Sequence, residues 1–177
     1  MIPARQSDVQ GGRLTMNRRA LLASLSATAI GGCGFQLRQA PKLPFQSVAL
    51  VGFAQRSPLA DALRQQLGAS GVQLQGDPSR AEAVLEALAD GREKSVVTST
   101  AAGQVRELQL RVKLRFRVAT PAGKLLLAPA ELLLTRDMSY SETAALAKAQ
   151  EEALLYRAME DDIVAQVLRR MAAIRPV

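Results

Sequence analysis

Leu108, Leu110, Val112, Leu114, Phe116 and Val118 alternate without a break with Gln109, Arg111, Lys113, Arg115 and Arg117. A period of two sends successive side chains to opposite sides of a strand, so this stretch predicts a strand with one apolar and one wet face. The wet face carries four cations, Arg111, Lys113, Arg115 and Arg117, spaced about 6.5–7 Å apart. Any fold for this chain must bury one side of that strand and leave the other to water or to a partner.

The flanking segments supply the rest of such a sheet. Pro121-Ala122-Gly123-Lys124 is a turn, and Leu125 to Tyr140 is the following strand, with Pro129 expected at a strand start or a bulge. Ala83 to Thr100 is the preceding strand, with a turn or bulge expected at Asp90-Gly91. Further upstream, Ser47 to Gly52 is a short apolar run that predicts a buried strand.

Two helices complete the pattern. Ser57-Pro58 is an N-cap followed by proline at the first helical position; Leu59, Ala62, Leu63 and Leu67 repeat at helical spacing, and Gly68 and Gly71 stop the helix. Ser141 to Ile174 contains neither Gly nor Pro. Leu146, Ala149, Ala153, Tyr156, Ile163, Val167, Met171 and Ile174 form one apolar stripe expected to face the sheet, on a helix roughly 50 Å long. Arg169, Arg170 and Arg175 suit the negative end of its dipole. The predicted order is β-α-β-β-β-α over a single domain, residues 47–177. The fold class is α+β, a two-layer sandwich of a mostly antiparallel four-stranded sheet with two helices on one face.

Composition narrows the chemistry. Hydrophobic residues make up 48% and aromatics 3%, with no Trp, so the core must be aliphatic. There is no histidine, which removes the commonest general base and metal ligand. Ser95, Thr98, Ser99 and Thr100 therefore lack a partner to activate them, and Asp161-Asp162 diverge on their helix. The expectation is a chain that is not an enzyme, with no catalytic residue, no metal site and no cofactor.

The beginning of the chain reads as an address. Asn17-Arg18-Arg19, the apolar stretch Ala20 to Ile30 and then Gly31-Gly32 follow the order of a secretory signal, and the stretch is too short to span a bilayer. Met16 is the expected start, with residues 1–15 an upstream extension, 16–32 the signal peptide and 33–46 a tether carrying Pro41 and Pro44. Ile30-Gly31-Gly32-Cys33 resembles a bacterial lipobox. That resemblance implies cleavage before Cys33 and lipid attachment to this residue, the one cysteine of the chain. Gly34 in place of Asp implies sorting to the outer membrane. Removing residues 1–32 takes away four arginines and Asp8, leaving 19 basic and 15 acidic side chains.

The cations of the alternating strand, with Arg136 from a neighbouring strand, form a ladder suited to phosphate or carboxylate, which Arg meets bidentately. The same residues also fit a solvated face whose cations are offset by acids on adjacent strands, such as Glu86 or Glu131. The residues alone leave both open. A nucleic-acid surface is disfavoured, because Phe116 has the opposite parity and no aromatic is interleaved for base stacking.

Several segments resemble one family in order. Cys33-Gly34-Phe35-Gln36-Leu37-Arg38 with Leu43-Pro44-Phe45, Gly103 to Leu108, Thr135 to Tyr140, and Glu152 to Met159 with Arg169-Arg170-Met171 are similar to LptE, the LPS-assembly lipoproteins. One departure is the scarcity of aromatics around Ser95 to Gly103. The resemblance implies an outer-membrane lipoprotein, lipid-anchored and facing the periplasm and a barrel lumen, that plugs the β-barrel LptD and assists lipopolysaccharide assembly. It also implies lipopolysaccharide binding, for which Arg111, Lys113, Arg115, Arg117 and Arg136 are the candidates. An auxiliary lipoprotein of an ABC-type lipid transport system shares the anchor and a comparable domain and is the alternative.

Overall fold

The structure is a computed structural model that describes residues 42–175. The expected extension, the signal peptide, Cys33 and the tether up to residue 41 lie outside the described residues.

The elements are β1 (Ser47–Val51), α1 (Pro58–Ala69), β2 (Gln73–Leu74), β3 (Ala83–Ser99), β4 (Val105–Ala119), β5 (Leu125–Ser139) and α2 (Ala145–Ala172). The expected α+β layering holds, with one correction to the sheet. It has five strands among the described residues, in the order β2-β1-β3-β4-β5. The strands β2, β1 and β3 run parallel, whereas β3, β4 and β5 form the expected antiparallel meander. The additional strand has only two residues, Gln73 and Leu74, both exposed, which is too short to show a period.

Local chemistry explains most boundaries. The Ser57 side chain accepts from the Ala60 amide at 3.0 Å, capping α1 with Pro58 just inside. Both long hairpins use the same turn. Thr100 and Thr120 each donate their amide to a carbonyl four residues on (Gln104, Lys124), and each hydroxyl accepts the amide returned from that residue. Gly103 and Gly123 supply the positive φ that these turns need, 78° and 86°. One of the two extra residues in β5 falls between Leu127 and Ala130, so Pro129 sits at a bulge, where its missing N–H breaks no ladder. The first bulge of β3 falls at Leu88, between the Ala87 and Ala89 pairs. It is not at Asp90-Gly91, which pair regularly with Leu114 and Lys113.

Both helices lie on the face that carries Leu108, Leu110, Val112, Leu114, Phe116 and Val118, all buried. From α1 come Leu59, Leu63 and Leu67, and from α2 come Met159, Ile163, Val167, Leu168 and Met171. Each such side chain, fully buried, contributes roughly 1.5–3 kcal/mol. The long helix is shorter than expected: a 3-10 turn occupies Glu142–Ala144, and the 28 residues of α2 span about 42 Å. Its apolar stripe is buried only from Tyr156 onward. Leu146 is 78% exposed, and Ala149 and Ala153 are exposed too, so the first turns of α2 do not join the core. Among the described residues, no helix is long and apolar enough to cross a membrane.

Candidate functional site

The register fixes which side chains share the face turned away from the helices. Arg111, Lys113, Arg115 and Arg117 of β4 stand opposite Glu93, Gly91, Ala89 and Glu86 of β3; the first three also stand opposite Thr135, Leu133 and Glu131 of β5. The four cations therefore project together, away from both helices. Arg136 does not join them. It pairs with Leu110, so it lies on the helix side of β5, exposed near the edge. The two irregularities in the β4–β5 pairing together restore odd-with-odd pairing, and an even-numbered residue falls on the other side.

Three of the four cations have acid partners. Arg117 donates from Nε to Glu86 Oε2 at 2.7 Å, Lys113 lies 3.4 Å from Glu131, and Arg111 lies 3.9 Å from Glu93. Arg111 also donates to the side chain of Gln109, which in turn donates to Asp137 at 2.9 Å. Glu86 and Glu131 are the acids named from the sequence. By register, Glu86, Glu93, Glu107, Glu131 and Asp137 share the face with the four cations, so it is a lattice of alternating charge and not a uniformly cationic patch. Arg115 alone has no ion pair among the described residues, since Glu131 turns to Lys113. The paired side chains are well exposed, and such pairs are worth at most about 1 kcal/mol each.

A second polar cluster, not anticipated from the sequence, bridges β3 to α2 on the helix side. Arg92 donates from Nε to Glu160 Oε1 at 2.6 Å and stacks over the Tyr156 ring, 4.8 Å from its centre. The Tyr156 hydroxyl donates to the Glu93 carbonyl at 2.9 Å, and Lys94 reaches both oxygens of Glu152 at 3.0 Å. Glu160 is buried, and Arg92 supplies the partner that a buried carboxylate needs. Burial raises the Tyr156 pKa, reinforced by the Glu152 and Glu160 carboxylates and opposed by Lys94 and Arg92. One signal in the sequence points to this cluster: Glu160 falls inside the apolar stripe, four residues after Tyr156 and three before Ile163.

At the far end of the sheet a shallow polar cleft is lined by Gln104, Val105, Arg106, Ser141, Glu142 and Thr143. Among the described residues, no group of three His, Cys, Asp or Glu side chains is placed to hold a metal ion.

Comparison with known proteins agrees with this architecture. The chain is 28% identical over 157 residues to the LPS-assembly lipoprotein LptE of Yersinia enterocolitica, covering 87% of this chain and 75% of the relative. It is 27% identical to the protein of the same name from Pectobacterium atrosepticum, covering 87% and 84%. Among solved structures, lipoprotein B from Nitrosomonas europaea superposes with a TM-score of 0.66 at 29% identity, covering 79% of this chain and 91% of that one. The minor lipoprotein of Acinetobacter baumannii gives a TM-score of 0.60 at 26% identity, covering 74% and 93%. The family model for LptE, lipopolysaccharide-assembly, matches residues 45–171, nearly all of the described domain, and the chain belongs to the LptE family.

Proposed function

We propose that this chain is an outer-membrane lipoprotein, anchored through lipid on Cys33, that plugs the LptD β-barrel and assists lipopolysaccharide assembly without catalysing a reaction. Family membership and relatives named LPS-assembly lipoprotein support this reading. The observation that carries it is the outer face of the sheet, uncovered among the described residues, where exposed charges of both signs alternate over β3, β4 and β5. A face of this kind suits a wet, polar lumen.

Lipopolysaccharide would meet this face through Arg111, Lys113, Arg115 and Arg117. Arg115, unpaired among the described residues, is the cation placed to take the first phosphate, and the weak exposed pairs of its neighbours can exchange a carboxylate for a phosphate. Arg136, on the other face, has no part in that contact.

The test is lipopolysaccharide binding by purified variants. Arg115→Gln should weaken binding roughly tenfold, the equivalent of one charge-assisted hydrogen bond, and replacing all four cations with Gln should weaken it further. Unchanged binding by a folded quadruple variant would refute this use of the face.

A further inference from the structure

The edges of this sheet are treated differently along their length. One margin ends in the two-residue β2, and past Glu86 the same side of β3 has no neighbouring strand among the described residues. That free stretch of β3 is broken by register shifts near Leu88 and Val97 and carries Arg92, Glu93 and Lys94 between them. Bulges and charges are devices that discourage a foreign strand. The other margin is β5, whose first part is shielded by Pro129 and its bulge. From Ala130 to Ser139 the β4–β5 register is unbroken, with no proline and no bulge, and the run Leu132-Leu133-Leu134-Thr135 lies at its centre. Leu133 is 52% exposed on the outer face, and no strand pairs with the free side of β5 among the described residues.

A row of free amides and carbonyls is complementary to an extended strand, and the sequence of this edge specifies which one. Read about Leu133, the edge is self-complementary in antiparallel pairing. Leu133 meets its own copy on the outer face, Leu132 meets Leu134 twice on the inner face, and Glu131 meets Thr135 twice on the outer. Such a Thr–Glu pair already exists within the chain, where Thr98 donates to Glu107 at 3.1 Å across β3 and β4. Ala130 faces Arg136, and pairing ends where Asp137 would meet Pro129, which has no N–H to give. Moving the axis to Leu134 would set Glu131 against Asp137, two like charges, and moving it to Leu132 would bring Pro129 and its bulge into the ladder. A closed barrel has no free edge of its own to offer.

We infer that the chain, when free of other partners, pairs with a second copy of itself through the β5 edge, antiparallel about a two-fold axis at Leu133. The contact is isologous and joins the two sheets into one. It goes beyond the plug reading, because it describes the chain before any barrel engages it.

The test uses the full-length chain in membranes where it is expressed in excess over any barrel partner, with copper phenanthroline as the oxidant that turns two thiols into a disulfide. Leu133→Cys should give a covalent species of twice the chain mass. Asp137→Cys, on the same face and edge, should not, since its two copies would lie about 26 Å apart. Wild type, with Cys33 alone, sets the background. Glu131→Cys and Thr135→Cys chains should cross-link only when expressed together. Purified in detergent away from any barrel, wild type should sediment as a dimer and folded Leu133→Lys as a monomer. No cross-link at 133, equal cross-linking at 133 and 137, or cross-linking at 133 only to a different protein would each overturn the inference, as would a monomeric wild type.

Discussion

Arg92 reaches from β3 across to Glu160 of α2, Nε to Oε1 at 2.6 Å, and holds a carboxylate that is otherwise buried. Removing the cation strands that charge, whereas replacing both groups with apolar ones of similar size strands nothing. Arg92→Met should therefore destabilise the fold by about 1–3 kcal/mol, the cost of leaving a buried acceptor without its partner. Arg92→Met with Glu160→Leu should recover most of it. Chemical denaturation of the single and double variants checks this; a double variant as unstable as Arg92→Met would show that the pair matters through its shape and not its charge.

Gly52 follows β1 with φ of 77°, and a Cβ built there would lie 2.3 Å from the Ala87 carbonyl oxygen. That oxygen belongs to backbone beside the Leu88 bulge and cannot swing aside as a side chain would. Gly52→Ala should cost more than about 2 kcal/mol, combining backbone strain with the collision. Gly76→Ala, where an added Cβ meets nothing, should change stability little. Thermal melts of the two variants compare them directly.

Burial lifts the Tyr156 phenol above its ordinary value near 10. A group that holds its proton more tightly in the folded state stabilises the fold below the unfolded pKa and loses that contribution as pH rises through the folded one. Stability should therefore fall above pH 10, and ultraviolet titration should show one of the two tyrosines ionising late. Tyr156→Phe should abolish the late step and flatten the alkaline loss.

The sequence foretold what local chemistry controls. The Ser57-Pro58 cap, the alternation from Leu108 to Val118 and the bulge at Pro129 all lie where those residue types require them. The acids Glu86 and Glu131 were legible too, because a solvated cationic strand needs counter-charges on its neighbours. Cross-strand register was not legible. It depends on how many extra residues the bulges insert, and the two in β5 cancel in parity, which leaves Arg136 on the helix side. The strand β2 was invisible because two exposed residues carry no period. The exposed start of α2 was missed because its apolar stripe continues in sequence through turns that are not buried. The Arg92–Tyr156–Glu160 cluster needed three dimensions, since its members lie 68 residues apart along the chain at their widest.

The central claim is that this chain works as a plug within a large outer-membrane barrel. Its most direct test is to extract the tagged chain from its own outer membrane in mild detergent and identify what co-purifies by mass spectrometry. LptD should co-purify in a one-to-one ratio with the chain. An ABC-type transport complex in its place, or the chain emerging with no barrel at all, would contradict it.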